Sequence, residues 1–331
     1  MKLPQHEISA LGVERRDLLK LLAVGGLVSA SGLVACAATP STSAPAAAPP
    51  SPTPAPLPHP VTRDFWFLQL TDTHWGYTGP ANPEASHTLV DAVRTINASP
   101  LEPDFVVFTG DLTHTTEDAS ERRRRLREFE RIVADLKVKT RYYLPGEHDA
   151  APDGGEAFRE VFGETHGAFD HEGVHFVRLD NVSAGSSIGD AQLEWLAHDL
   201  APLPRDTPLV LLAHRPLFDL FPSWDWATRD GARVLELVQG FAAVSVFYGH
   251  IHQDHHVTTK GGVQHHAARS LVFPLPAPGS VPKKAPLPWD ADARDHGLGY
   301  RSIEEQHGGP VLTEVSVSPE PSSRSAESRA P

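Results

Sequence analysis

Sulfur is almost absent from this chain: of 331 residues, one is cysteine and one is methionine. A lone thiol cannot form a disulfide within the chain, and a bound metal must be held by nitrogen and oxygen rather than sulfur. No G-x-G-x-x-G stretch, Walker lysine loop or internal repeat occurs, so a nucleotide-cradling turn has no direct support. An excess of positive charge is lacking too. The formal charge of −13 repels nucleic acid and anionic lipid at long range, so no nucleic-acid partner is expected. An anionic substrate must therefore meet strong local positive charge. What the chain has in abundance is histidine, 19 residues in all.

The N-terminus reads as address and tether. Glu14-Arg15-Arg16-Asp17-Leu18-Leu19-Lys20 precedes an apolar stretch, Leu21 to Val34, that is diluted by Gly25, Gly26 and Gly32. That stretch is short of the ~20 residues of a membrane span and looks like a twin-arginine export signal. The route carries folded proteins, which suits one that acquires metal before crossing a membrane. Leu33-Val34-Ala35-Cys36 then resembles a bacterial lipoprotein box, with the chain's only cysteine at the acylated position. The alternative is an ordinary signal peptide cut near Ala38. From Ala37 to Pro60 every residue is Ala, Pro, Ser, Thr, Leu or His, with nine prolines and no formal charge. Such a segment forms no core; it favours polyproline II, at ~3.1 Å per residue a reach of roughly 75 Å. The tail from Pro319 has a disordered composition. These readings divide the chain into a signal peptide (1–36), a linker (37–62), one domain (63–317) and a tail (318–331). The domain is expected outside the cytoplasm, facing the periplasm or cell exterior on an N-terminal lipid anchor, with the twin-arginine export machinery as a partner.

Between these ends, apolar runs of strand length alternate with amphipathic helical stretches, an α/β pattern. The pattern predicts strands over Phe65–Leu70, Phe105–Thr109, Arg141–Leu144, Val174–Leu179, Leu209–Ala213, Ala243–Tyr248 and His256–Thr259. It predicts helices over Pro83–Asn97, Ala119–Leu136, Asp190–Leu200 and Ala232–Gln239. The run Glu121-Arg122-Arg123-Arg124-Arg125 sits on one of these helices among Glu117, Asp118, Glu128 and Glu130, so a solvated helix face is favoured over a nucleic-acid patch. Trp195 shares helical spacing with Leu193, Leu196 and Leu200 and is assigned to the core.

Candidate ligands fall at strand ends. Asp72 and His74 follow the first strand, Asp111 the second, Glu147 and His148 the third, His214 the strand beginning at Leu209, and His250 and His252 the strand ending at Tyr248. Loops at the carboxyl ends of strands gather on one side of an open α/β sheet, where ligands bind. Seven of these side chains, leaving His148 aside, are enough for two hard-to-borderline metal ions. The ordered set Asp72-Thr73-His74, Gly110-Asp111-Leu112-Thr113-His114, Gly146-Glu147-His148-Asp149, His214-Arg215-Pro216 and Gly249-His250-Ile251-His252 resembles the calcineurin-like metallophosphoesterase superfamily over about residues 63–317. The resemblance implies a four-layer α-β-β-α sandwich of two mixed sheets flanked by helices. It implies Asp72, His74 and His252 as ligands of a first metal, Asp111 as a bridge, and Glu147, His214 and His250 as ligands of a second. The pair would be drawn from Fe, Mn or Zn. Two cations ~3.5 Å apart can share a hydroxide that attacks a phosphoryl group, and His148 would stabilise the transition state or protonate the leaving oxygen. The activity implied is hydrolysis of phosphomonoesters or phosphodiesters. A catalytically inert metal-binding lipoprotein on the same fold is the alternative, separable by assaying metal-loaded protein.

Two positions depart from the family pattern. Glu147 stands where asparagine is usual, and an ionised glutamate cannot donate a hydrogen bond. Two divalent ions, three carboxylates (Asp72, Asp111, Glu147) and a bridging hydroxide would sum to zero. That suggests either a trivalent ion such as Fe(III) or a preference for singly charged phosphodiesters. His114 stands where an aspartate often orients the catalytic histidine. It is expected as a partner of His148, as an extra metal ligand, or in a solvated loop; Asp149 is a second supporting candidate. The extra histidines of His250 to His256 and the pair His265-His266 are expected mostly at the rim, because adjacent strand residues face opposite ways. Pro274 to Pro288 reads as a long loop that either walls the cleft or crosses the surface.

Overall fold

The computed structural model describes residues 64–306 and 309–316. The export signal, Cys36, the proline-rich linker and the tail from Pro319 lie outside the described residues. In chain order the strands are β1 (Phe65–Leu70), β2 (Phe105–Thr109), β3 (Arg141–Leu144), β4 (Gly167–His171), β5 (Val174–Arg178), β6 (Leu209–Leu212), β7 (Val244–Tyr248), β8 (His255–Thr258), β9 (Gln264–Ala267), β10 (Tyr300–Gln306) and β11 (Gly309–Val315). The α-helices are α1 (Ala85–Ala98), α2 (Ala119–Val133), α3 (Glu147–Ala150), α4 (Glu156–Phe162), α5 (Asp190–Leu200) and α6 (Gly231–Leu237).

β1 (FWFLQL) and β2 (FVVFT) are buried on both faces, as near-continuous apolar runs at the centre of a parallel sheet should be. They belong to a mixed five-stranded sheet of order β11-β10-β1-β2-β3, in which β1 to β3 are parallel and β10 runs antiparallel to β1. A mixed six-stranded sheet of order β4-β5-β6-β7-β9-β8 packs against it. Between the sheets, Phe65, Phe67 and Phe105 meet Phe176 of β5 and Phe247 of β7. The Phe67 and Phe105 rings stack at 4.8 Å, and Phe176 meets Phe67 edge-on at 5.6 Å. Each such ring contributes roughly 2–3 kcal/mol by leaving water. On the outer faces, Phe108 packs on Phe129 of α2, and Val177, Leu211 and Val246 pack on α5 and α6 through Leu193, Leu196 and Val234. The result is the helix, sheet, sheet, helix layering that the motifs implied.

The helix α2 begins where Asp118 accepts hydrogen bonds from the Ser120 and Glu121 amides, satisfying two donors that the first turn leaves free. Its arginine run is not uniformly solvated, which corrects the sequence reading. Arg122 is 5% exposed; it pairs with Asp153 at 3.0 Å and donates to the Thr116 carbonyl. Arg125 donates to the carbonyl of His114. Two members of the run therefore fasten the loop after β2, while Arg123 and Arg124 make surface pairs with Glu160, Glu156, Glu121 and Glu128.

Four strands and two short helices escape an apolar-pattern reading: β4, β9, β10, β11, α3 and α4. β9 (QHHA) looks polar, yet His265 and His266 are buried, and burial pulls them down to about 4 and about 3, so both are neutral inside the protein. β10 carries Arg301, which is fully buried and held by Asp254 at 2.7 Å and by Glu314. A buried charge with two partners hides a strand from any hydrophobicity count.

Candidate metal centre

The carboxyl ends of β1, β2, β3, β6 and β7 meet along one edge of the sandwich, and the loops there are tied by continued backbone pairing. The amides of Asp72 and His74 donate to Gly110 and Asp111 carbonyls at 3.0 and 2.9 Å, and the Gly249 amide donates to His214 at 3.0 Å. Glycine is required where these loops cross: a Cβ on Gly146 would run into the Asp111 backbone and carboxylate, and one on Gly249 into the Thr71 hydroxyl and Asp72 carboxylate. The backbone is strained at the same place. Among the described residues eight non-glycine residues have positive φ, and five are Asp72, His74, Asp111, His250 and His252. A left-handed conformation at such residues costs energy that the surrounding structure must supply, and it concentrates at functional sites.

All seven candidate ligands converge. Asp72, His74 and His252 bring one ligand atom each within 4.8 Å of one another, and so do Glu147, His214 and His250. Asp111 stands between the two triads: its Oδ2 lies 3.4 Å from His74 Nε2 and 3.5 Å from His214 Nε2. His252 Nε2 is 3.2 Å from Asp72 Oδ1, and His250 Nδ1 is 2.8 Å from Glu147 Oε1. The outward nitrogen of three of the four imidazoles is held from behind by a carbonyl. His214 Nδ1 faces the Thr109 carbonyl at 2.8 Å, His252 Nδ1 the Phe273 carbonyl at 2.7 Å, and His250 Nε2 the Asp225 carbonyl at 3.3 Å. A carbonyl only accepts, so each of these nitrogens carries the proton and the opposite nitrogen presents a lone pair to the site.

The donor set fits metal. His74 Nε2, His214 Nε2 and Glu147 Oε2 are buried without a hydrogen-bond partner among the described residues. His214 Nε2 and Glu147 Oε2 are 2.8 Å apart yet lack hydrogen-bond geometry, the relation of two donors aimed at a shared cation. Burying such atoms unpaired is costly unless an ion pairs them. Burial pulls His74 well below its ordinary pKa and keeps it a neutral ligand. Burial would raise Glu147, but His250 and His214 hold its carboxyl well below the usual range, so it stays a charged donor.

Supporting residues are also resolved. Asp149 accepts from the amides of Gly146, Leu112 and Thr113 and from the Thr113 hydroxyl, clamping the β2 and β3 loops together. Burial and the neighbouring Asp111 push its carboxyl up to about 7. His148 accepts the Thr115 amide at Nδ1, 3.1 Å away, so its neutral ring carries the proton on Nε2, 3.9 Å from Asp111 Oδ2. His114 stacks on His148 with ring centres 5.1 Å apart, and its Nδ1 lies 3.3 Å from His74 Nδ1. It therefore touches both the expected partner and a candidate ligand, and burial with His148 and Arg125 pulls it down to about 4. Of the remaining histidines, His256 and His266 pair with each other at 2.8 Å away from the ligand groups, and His265 reaches Thr259. The 274–288 loop is held by Gln253, whose amide donates to the Leu275 carbonyl. Together with Phe273, Leu287, Trp289, Arg294 and Leu298 it walls a cavity of about 270 Å³.

The sequence reading missed Arg215, Asp225 and Phe273. Arg215 follows His214 directly and is 2% exposed, but its neighbour in space is Glu147. Asp225 and Phe273 act through backbone carbonyls, which carry no side-chain signal; positive φ at Asp225 is the mark that the fold adds.

Residues 65–254, more than half of the chain, match the family described as Calcineurin-like phosphoesterase. A probable cyclic nucleotide phosphodiesterase from Rhodopseudomonas palustris is 26% identical over 241 residues, 65% of this chain and 83% of that protein. A cAMP/cGMP dual specificity phosphodiesterase from Mycobacterium tuberculosis is 27% identical over 219 residues, 60% of this chain and 65% of that one. The fold is shared with a dimetal phosphatase from Danio rerio, at TM-score 0.51 and 15% identity, over 80% of this chain and 100% of that one. This chain belongs to the calcineurin-like phosphoesterases and is a metal-dependent phosphoric ester hydrolase.

Proposed function

We propose that the protein hydrolyses phosphodiesters at a dinuclear metal centre outside the cytoplasm. The observation that carries the reading is Asp111 Oδ2 set nearly equidistant, at 3.4 and 3.5 Å, from one histidine of each ligand triad. Asp72, His74 and His252 would hold the first ion and Glu147, His214 and His250 the second, with Asp111 shared. Such a pair would supply an acidified water as nucleophile and positive charge for the phosphoryl oxygens. The protein's own part is to aim its ligands and to offer a hydrogen bond. The carbonyls behind His214, His250 and His252 fix their tautomers, and the strained loops hold the carboxylates in place. His148, with its proton on Nε2 and its side chain 28% exposed, is placed to donate a hydrogen bond to the charge that develops on the departing or phosphoryl oxygen.

Glu147 selects the ester class. As a third carboxylate it lowers the positive charge of the centre by one, which disfavours a monoester dianion more than a singly charged diester. Two relatives named as cyclic nucleotide phosphodiesterases make cyclic nucleotides, which are such diesters, the first class to assay. Arg15, Arg16 and Cys36 support twin-arginine export and a lipid anchor; loss of membrane association in a Cys36→Ser variant tests the anchor. The test of the function is a paired assay of bis(4-nitrophenyl) phosphate, 4-nitrophenyl phosphate and cyclic AMP with metal analysis of the same sample, for wild type and Glu147→Asn. Diester turnover by the wild type, with a shift toward the monoester in the variant, is expected. Equal preference in both proteins would remove Glu147 from the argument, and Fe(III) in one position would reassign its charge to the metal.

A further inference from the structure

Glu147 does not stand alone. It belongs to a closed ring of four residues, of which the dinuclear reading leaves only Arg215 without a role. Arg215 Nη1 lies 3.9 Å from Glu147 Oε1. Its Nη2 donates to the carbonyl of Asp225 and pairs with the Asp225 carboxylate at 2.7 Å. The same Asp225 carbonyl is 3.3 Å from His250 Nε2, and His250 Nδ1 returns to Glu147 at 2.8 Å. Arg215 Nε is fixed on the Ala227 carbonyl at 3.0 Å, so the guanidinium has no freedom to turn away. Asp225 is held in a left-handed conformation, φ 60°, to present this carbonyl.

The charges in the ring are unequal in effect. The Arg215 side chain is 3% exposed and the Asp225 side chain 73%, so water screens the aspartate but not the guanidinium. A buried cation this close to a ligand carboxylate acts on everything bound at the centre. We propose that Arg215 is the built-in counter-charge of Glu147. It returns one positive charge to a site whose three carboxylates and attacking hydroxide would otherwise cancel two divalent ions, and it holds the carbonyl that orients His250. Two divalent ions then suffice to attract a singly charged phosphodiester, with no trivalent ion required. Arg215 touches no substrate; it is a positioning residue that acts through Glu147 and Asp225. The inference rests on the dinuclear reading above.

The test is phosphate binding rather than turnover. Inorganic phosphate is titrated calorimetrically into wild type, Arg215→Gln, Arg215→Lys, Glu147→Asn and the double variant, each loaded with Mn and checked for metal content. Removing the cation weakens phosphate binding about tenfold in the wild-type background, a modest charge interaction at an effective dielectric near 20. Arg215→Lys restores most of that loss. In the Glu147→Asn background the same Arg215→Gln change costs less than about threefold, because the paired negative charge is gone. Equal losses in both backgrounds, or unchanged phosphate affinity at equal metal content, would overturn the proposal. If Arg215→Gln does not fold, Glu147→Gln reads the pair from the other side: with two metals bound it tightens phosphate about tenfold, and no tightening overturns the proposal. A wild type that binds two metals and phosphate but turns over no ester would defeat the proposed function and leave the Arg215 comparison readable.

Discussion

His214 Nε2 lies 2.8 Å from Glu147 Oε2, and neither atom has a hydrogen-bond partner among the described residues. With metal bound both atoms can face one cation; without it His214 must take up a proton to face the Glu147 carboxylate. Stripping metal with a chelator should therefore lower Tm by on the order of 10 °C, since an ion bound well above its Kd contributes several kcal/mol. His214→Ala should retain about one metal per chain in place of two. Differential scanning calorimetry and elemental analysis read both outcomes; a Tm indifferent to chelator would contradict them.

Metal uptake should release protons. In the stripped protein burial opposes charge on His214, yet Asp111 and Glu147 hold its pKa well above the ordinary value, so it carries a proton at neutral pH. As a ligand it must lose that proton. The apparent affinity for Zn or Mn should thus rise with pH and still be rising above pH 7. Isothermal titration in buffers of different ionisation enthalpy counts the protons; none released between pH 6 and 8 would exclude the mechanism.

His148→Ala should lower kcat for a diester with a poor leaving group by about 10²–10³-fold at unchanged metal content, the loss of one hydrogen-bond donor to the developing charge. The loss should shrink when the leaving group is 4-nitrophenolate, whose oxygen gathers less charge. Comparable losses with both leaving groups would place the hydrogen bond on a phosphoryl oxygen instead.

Gly249→Ala places a methyl group into the Thr71 hydroxyl and the Asp72 carboxylate. The variant should lose about 1–3 kcal/mol and release the ion held by Asp72. Urea unfolding with metal analysis checks this, and a variant with wild-type stability and metal content would refute the packing account.

Away from the site, burial pushes Glu305 from its ordinary 4.5 up to about 7. Between these values the unfolded chain has released a proton that the folded protein keeps. The folded state binds more protons across that window, so this group makes stability fall as pH rises from about 4.5 to 7. Glu305→Gln should stabilise the protein by up to about 3 kcal/mol at pH 8 and leave it nearly unchanged at pH 4. Melting curves at the two pH values decide it.

How far the sequence could be read follows from where its information lies. β1, β2 and β3 appear at their expected bounds because their runs are mostly apolar or aromatic, and the ligand loops are legible because each follows such a run. β9 and β10 were illegible because His265, His266 and Arg301 are buried polar groups, which no count of apolar residues registers. The loop after β2 holds His114 between His148 and His74, a contact no spacing rule contains. Glu147 stood out by its letter alone, but its neighbour Arg215 became meaningful only when the chain folded His214 back onto the β3 loop.

The most direct measurement of the central claim is diester hydrolysis followed against added metal, starting from fully stripped protein. Turnover of bis(4-nitrophenyl) phosphate should stay near zero through the first equivalent and climb with the second, reaching its plateau at two ions per chain. A plateau at one equivalent, or two ions bound with no turnover, would contradict a dinuclear centre that shares Asp111.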